Sequence, residues 1–297
     1  MILTFAFGGP GDAPKGVLGT GIPLLGGESR EILLGPVEPA GTVGSFALFR
    51  GPAGLAGYAP VNPGGDLEGA TARLYADLLR AARGLNLYRI WNLVPRINGR
   101  RPDGLENYRA FCLGRSRAFE MGLGSGFTRR LPAASALGTA GVELKVVFLA
   151  GARPVRHFEN PEQVPAYKYP AQHGPRSPSF SRATVVEREG RMDFFVSGTS
   201  AIAGHSTVWP NNTAGQLERT LKNLGLIAKE CGLGESSGAS RHFKVYLRNP
   251  ADLPAVARRV EEALLRRGDR VSYLGADICR PELNVEIEAT VSGAESI

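Results

Sequence analysis

The segment from Asp277 to Thr290 places two carboxylates, Glu286 and Glu288, on a run whose alternate members Val285, Ile287 and Ala289 are apolar. At the two-residue period of a strand both acids share one face and the apolar side chains share the other. A carboxyl held away from water resists ionisation and can keep its proton near neutral pH, which is the state a general acid requires. Taken alone, the segment reads as a solvent-facing edge strand with ordinary charged residues. Cys279 precedes Glu286 by an odd number of residues, so the two side chains face opposite ways on an uninterrupted strand. A bend near Pro281 is needed to bring both to one pocket.

Other segments offer weaker chemistry. Glu106 to Arg115 supplies Tyr108, Arg109 and Arg115 beside Gly114, a glycine that would let a ligand approach or serve a turn. Ser197 to His205 sets hydroxyls and a histidine among glycines, including Gly198, but its spacing matches neither a phosphate loop nor a nucleophile elbow, and it reads as a tight hairpin. Pro154 to Arg182 carries Tyr167, Tyr169, His173, Arg176 and Arg182 among five further prolines. A solvated linker would favour Ser, Glu and Lys, so this stretch is expected to be ordered, either lining a pocket or clasping one domain to the other. The four histidines show no metal-ligand spacing, and no metal is assigned. Gly8 to Gly11 lacks the strand-to-helix context of a nucleotide loop.

Those residues need a scaffold, and 297 of them suffice for two ordinary domains. The 43% apolar and 21% charged content is that of a folded chain. The net charge of +7 comes from 29 arginines against 6 lysines. Arginine binds carboxylates and phosphates bidentately, although a GC-rich genome gives the same bias. The arginines are scattered, with no aromatic-studded basic stripe, so a small anion fits better than nucleic acid. The apolar stretches are too short to span a bilayer and the start lacks a basic leader, which predicts a cytoplasmic protein that does not bind membranes. Cys112, Cys231 and Cys279 are isolated and odd in number, as suits reduced thiols.

An internal echo sets the domain count. Asp66 to Gly84 carries Leu74, Leu78, Leu79 and Ala82 at helical spacing, followed by a strand-like run from Leu85 to Ile97. Thr213 to Cys231 repeats the plan with Leu217, Leu221, Leu224 and Ile227, then a strand from His242 to Leu247. Strand, turn and strand precede each helix, over Phe46 to Val61 and Phe194 to Val208. A further helix is expected over Pro250 to Arg267, and the Glu-bearing strand closes the second half. The class is α+β, with domains over 1–155 and 183–297 and an ordered segment, 156–182, lining a site between them.

Taken together, YRIWNLVPRIN (88–98), ENYRAFCLGR (106–115), ENPEQVPAYKY (159–169), GPRSPSFSRA (174–183), VSGTSAIAGH (196–205) and DICRPELNVEIE (277–288) closely resemble the chorismatase family. The resemblance runs over about Leu85 to Ala289, and the first sixty residues carry little of it. That family looks like two fused YjgF-like (chorismate-mutase-like) domains, each a β-sheet with helices packed on one face. The resemblance implies cleavage of the enolpyruvyl ether of chorismate, a dianion, with release of pyruvate and without metal or organic cofactor. It implies Glu286 as the proton donor, Tyr167 and Arg176 as substrate contacts, and Arg115 as a carboxylate clamp, with Tyr108 and Arg182 nearby. His173 stands where the family pattern has a tyrosine. One branch of the family hydrolyses chorismate to a dihydroxycyclohexadiene carboxylate, whereas the other loses water as well and yields 3-hydroxybenzoate. Cys279 and Gly198, where the first branch has alanines, place this chain with the second. Fused domains would satisfy their contacts internally, so a monomer is expected. A YjgF-like protein that only binds small acids, and an imine deaminase, remain as other readings of the same residues.

Overall fold

Two stretches of the chain build the same unit twice. The first runs β1 (Phe46–Gly51), β2 (Gly54–Val61), α1 (Leu67–Ala81), β3 (Asn86–Pro95), α2 (Asn107–Leu123), β4 (Ala133–Thr139) and β5 (Leu144–Gly151). The second runs β6 (Ala183–Arg188), β7 (Arg191–Ser200), α3 (Thr213–Glu230), β8 (Ser240–Leu247), α4 (Leu253–Ala263), β9 (Arg270–Gly275) and β10 (Val285–Glu295). Strand order is β4-β3-β5-β2-β1 in one sheet and β9-β8-β10-β7-β6 in the other. The pairing sense also repeats: β3 with β4 and β8 with β9 are parallel, while the last strand of each unit is antiparallel to both neighbours. The computed structural model describes residues 1–8, 16–188, 190–233 and 238–295, so most of the stretch weighed as a nucleotide loop lies outside it.

Local chemistry explains the matched helices. Asp66 accepts the Gly69 N–H and Asn212 the Gly215 N–H, so each long helix starts on a short polar cap that satisfies an otherwise unpaired donor. Leu74 and Leu78 of α1, and Leu217, Leu224 and Ile227 of α3, bury the inner stripe against the sheet. Each such side chain contributes about 1.5–3 kcal/mol when taken from water. Helices cover one face of each sheet, and the helix-side cores are separate. The opposite faces share a third apolar layer, where Trp91, Leu93 and Val147 meet Phe195, Tyr246 and Leu274.

The N-terminal residues complete that third layer. Strands Leu3–Ala6, Val17–Gly19 and Arg30–Leu34 form a small sheet whose Leu3, Phe5 and Leu18 pack into it. Two short strands cross between the units: Leu24–Gly27 pairs with β9, and Asp277–Ile278 pairs with β4.

Three expectations are corrected. The acid-bearing strand is not a solvent-facing edge: β10 lies in the middle of its sheet, with hydrogen-bonded neighbours on both sides. Its polar face is covered by the other unit, so both glutamates are buried. Asn107–Leu123 is a helix, an element that no apolar stripe in the sequence announces. Gly114 lies within it on the face toward α1, where a Cβ would strike the Glu68 carbonyl, so this glycine serves helix packing and not ligand approach. The helix expected over Pro250 to Arg267 is confined to Leu253–Ala263, with a single 3-10 turn before it.

Candidate active site

The chain leaves the short strand Asp277–Ile278 on one sheet and re-enters the other sheet at Val285. The bend between them, through Pro281, cancels the odd spacing of Cys279 and Glu286. Both now line one cavity of about 130 Å³ at the junction of the two units. A smaller chamber of about 30 Å³ shares Glu286, Cys279, Gly198, Tyr108 and Phe180 with it, and Arg115 reaches only that inner chamber. A larger groove of about 730 Å³ opens on the outer side of α1 and α2, but it has no carboxylic acid in its lining. The smaller cavity holds the perturbed acid, and is therefore the candidate site.

Glu286 is 3% exposed. Its Oε2 accepts from Ser200 Oγ at 3.3 Å. Burial, reinforced by the charge of Glu288, raises its carboxyl from 4.5 to about 8, against the opposing pull of the Ser200 hydroxyl, Arg89 and Arg182. Glu288, 1% exposed, sits two residues on and is tied down from four directions. Arg89 Nη2 donates to its Oε2 at 2.7 Å, Trp91 Nε1 to Oε1 at 2.8 Å, Lys244 Nζ lies 2.6 Å from Oε1, and Ser135 Oγ donates to Oε2. Burial would raise the Glu288 carboxyl, but Lys244 and Arg89 override it and hold it down near 2. Two like groups on one strand face are thus split into a protonated acid and a permanent anion.

The remaining predicted residues divide by position. Gly198 lies against Glu286, and a Cβ there would overlap Glu286 Oε1. Arg115 is buried on α2 with its guanidinium 4.8 Å from the Phe111 ring, and its Nε has no hydrogen-bond partner among the described residues. Arg182 is buried too; it donates to Tyr169 Oη at 2.7 Å, while its Nε stands 3.9 Å from Glu159 without a hydrogen bond. Tyr108 lines the cavity and stacks on Phe111. Burial pushes the Cys279 thiol up to about 12, with the charge of Glu286 adding to it, so this sulfur is a neutral thiol at physiological pH.

Two predicted contacts lie elsewhere. Tyr167 packs against the helix-side core of the first unit and does not line the cavity; Tyr169, two residues on, is the phenol that does. Arg176 turns outward to Glu120 at 3.0 Å, with 41% of its side chain exposed. It is not among the residues that line the pocket.

Tyr169, His173 and His205 are noted in the sequence without a role, and Arg280, Arg89, Ser135 and Lys244 are not singled out there. Tyr169, His173, His205 and Arg280 cluster at the mouth: His173 Nε2 lies 3.0 Å from His205 Nδ1, and the Arg280 guanidinium lies 5.4 Å from the Tyr169 ring. Burial and the neighbouring Arg280 depress His173 to about 4, leaving it neutral near pH 7. Arg89 and Ser135 of the first unit, and Lys244 of the second, hold Glu288. A signal for Arg89 existed: Arg89 and Trp91 alternate on an apolar strand as Glu286 and Glu288 do, and the two pairs meet.

A buried carboxyl, Glu286, and the arginines Arg115 and Arg182 line adjoining chambers at the seam of a duplicated α+β fold, an arrangement suited to a small anion. Comparison with known proteins gives the family. The family described as Chorismatase FkbO/Hyg5-like, N-terminal, matches residues 38–150. A chorismatase of Streptomyces rapamycinicus is 37% identical over 273 residues, covering 87% of this chain and 80% of that protein. A 3-hydroxybenzoate synthase of Streptomyces hygroscopicus is 38% identical over 246 residues, covering 78% and 72%. A chorismatase crystal structure superimposes with a TM-score of 0.84 at 32% identity, covering 98% of this chain and 92% of that one. The chain belongs to the chorismatase family.

Proposed function

We propose that this protein cleaves the enolpyruvyl ether of chorismate to pyruvate and 3-hydroxybenzoate, with Glu286 as the proton donor. The observation that carries the reading is the burial of Glu286, with its proton retained to about pH 8, on the wall of an arginine-lined cavity. Relatives named a chorismatase and a 3-hydroxybenzoate synthase support the same reading.

In this reading the Glu286 proton is delivered to the terminal vinyl carbon, whose π electrons form the new C–H bond and leave an oxocarbenium centre. Water adds to that centre and returns one proton to the Glu286 carboxylate. The hemiketal then collapses, its C–O bond to the ring oxygen breaking as the pyruvate carbonyl forms, and the ring oxygen takes the remaining hemiketal proton, a far easier departure than that of an enolate. Arg115 and Arg182 supply unpartnered N–H groups for the two substrate carboxylates, which fixes the ether over the acid and compensates the buried positive charge. Tyr108 and Tyr169 line the approach. Cys279, as a neutral thiol beside Glu286, assists the later loss of the C4 hydroxyl as water together with the C3 hydrogen, which gives the aromatic product. None of these steps draws on a metal or an organic cofactor.

We propose the division 1–155, 156–182 and 183–297 for the chain, in which the clamp Arg115 comes from the first part, Tyr169 and Arg182 from the middle, and the acid from the last. Only one site is expected, because β5, the counterpart of β10, carries no acid. A monomer is proposed on the ground that the sheet faces free of helices already cover each other. A reducing, cytoplasmic setting suits the three free cysteines. No helix among the described residues is long and apolar enough to cross a membrane. Incubation with chorismate tests the reading: pyruvate together with 3-hydroxybenzoate supports it, while dihydrodiol alone moves the chain to the hydrolytic branch.

A further inference from the structure

Five ionisable groups are buried where β3, β8, β10 and the N-terminal strand Arg30–Leu34 converge: Glu31, Arg89, Lys244, Glu286 and Glu288. Lys244 Nζ bridges Glu31 and Glu288, and its ammonium also lies 4.9 Å from the Trp91 ring and 5.1 Å from Phe5. Thr290 Oγ1 donates to Glu31 Oε1 at 2.8 Å. Arg89 and Lys244 thus balance Glu31 and Glu288, two charges against two. An ionised Glu286 would be a fifth, unbalanced charge in the same low-dielectric space, where an uncompensated ion is costly.

Glu288 also acts mechanically. Ser135 Oγ donates to Glu288 and accepts the Gly198 N–H at 2.9 Å, and Gly198 in turn lies against the Glu286 carboxyl. An unbroken chain of contacts therefore runs from Glu31 through Lys244, Glu288, Ser135 and Gly198 to Glu286.

We propose that Glu288 is a positioning residue for the protonation step: fixed as a carboxylate by Arg89, Lys244 and Trp91, it seats Gly198 against Glu286 and supplies the negative charge that keeps the proton on Glu286. The N-terminal strand takes part through Glu31, the second carboxylate partner of Lys244. The inference rests on Glu286 being the acid. Other charged or titratable groups that face Glu286 are Arg89 from β3, Tyr108 and Arg115 from α2, Arg182 from the inter-unit segment, Tyr246 from β8 and Cys279 from the bend. Of these, the arginines draw the proton off, so Glu288 is the charge that opposes them.

The test is a pair of variants with opposite expected signs. Glu288→Gln removes a negative charge, and the alkaline limb of the pH profile of kcat/KM for pyruvate release should move down by about one pH unit or more. Lys244→Met removes a positive charge and should move the limb up. Glu31→Gln, remote from the pocket, should move it down by less and serves if Glu288→Gln does not fold. A merely structural role predicts lower activity with the limb unmoved, and that result, or shifts of the same sign in all three, overturns the proposal. Carbon-13 NMR titration of glutamate carboxyls, with Glu286→Gln to assign the signal, reads the same shifts without turnover. Wild-type protein that releases no pyruvate yet shows these carboxyl shifts would refute the chorismate reading alone; unshifted carboxyl titrations would refute the role of Glu288.

Discussion

Gly198 and Glu286 touch: the α-carbon of one, on β7, stands so close to the carboxyl of the other, on the neighbouring β10, that a single methyl group would overlap it. Gly198→Ala is therefore expected to turn the Glu286 side chain out of its place. Because the resemblance puts alanine at this position in the hydrolytic branch, the variant should lower the ratio of 3-hydroxybenzoate to dihydrodiol. Chromatography of the products from chorismate measures it, and an unchanged ratio at an unchanged rate would show that the contact does not matter.

Glu286→Gln should reduce pyruvate release by about a hundredfold or more, since the amide keeps the shape but delivers no proton, while chorismate binding persists. The variant should also be the more stable protein in alkali. The wild-type carboxyl is raised from 4.5 to about 8, so between those values the unfolded chain ionises while the folded one holds its proton, and stability falls as pH rises. The glutamine lacks this loss. Melting temperatures at pH 6 and pH 9 check it: the gain over wild type should be larger at pH 9.

Arg182→Ala and Arg176→Ala separate the pocket from the outer surface. Arg182 is buried in the lining, and its removal should lower kcat/KM by tenfold or more. Arg176 pairs with Glu120 on the surface, where such pairs contribute about 0–1 kcal/mol, so its alanine variant should stay within a few-fold of wild type. Steady-state kinetics with both variants decide the matter, and a larger loss for Arg176 would show that its loop closes over the substrate.

The duplicated fold was legible because it rests on local signals. Leu74 and Leu78, like Leu217 and Leu224, lie at helical spacing behind a polar cap, and these patterns need no tertiary information. The alternation of Glu286 and Glu288 was equally plain, but burial is a property of neighbours, and nothing within Val285 to Thr290 reveals that β10 is central or that Arg89 and Lys244 wait across from it. The helix over Asn107–Leu123 was obscured by Arg109, Arg115 and Arg117 interrupting its apolar stripe, and Arg115 is one of the buried residues of that stripe. Tyr167 and Tyr169 illustrate the same limit. Two phenols share one short loop, and only the path of the backbone through Ala166–Lys168 decides that the second enters the cavity.

Cys279→Ala should leave pyruvate release largely intact and shift product toward the dihydrodiol, because Glu286 still performs the shared protonation. The thiol also packs beside Ile278 and Leu283, so a small drop in melting temperature is expected as well. A lowered melting temperature with an unchanged product ratio would reduce Cys279 to a packing residue.

The most direct measurement is product analysis of the purified protein with chorismate, followed from pH 6 to pH 10. The account predicts pyruvate and 3-hydroxybenzoate in equal amounts, with activity declining through about pH 8 as Glu286 loses its proton. Thermal stabilisation by chorismate without any pyruvate, ammonia release from imines in place of chorismate turnover, or an activity that rises through pH 8 would contradict it.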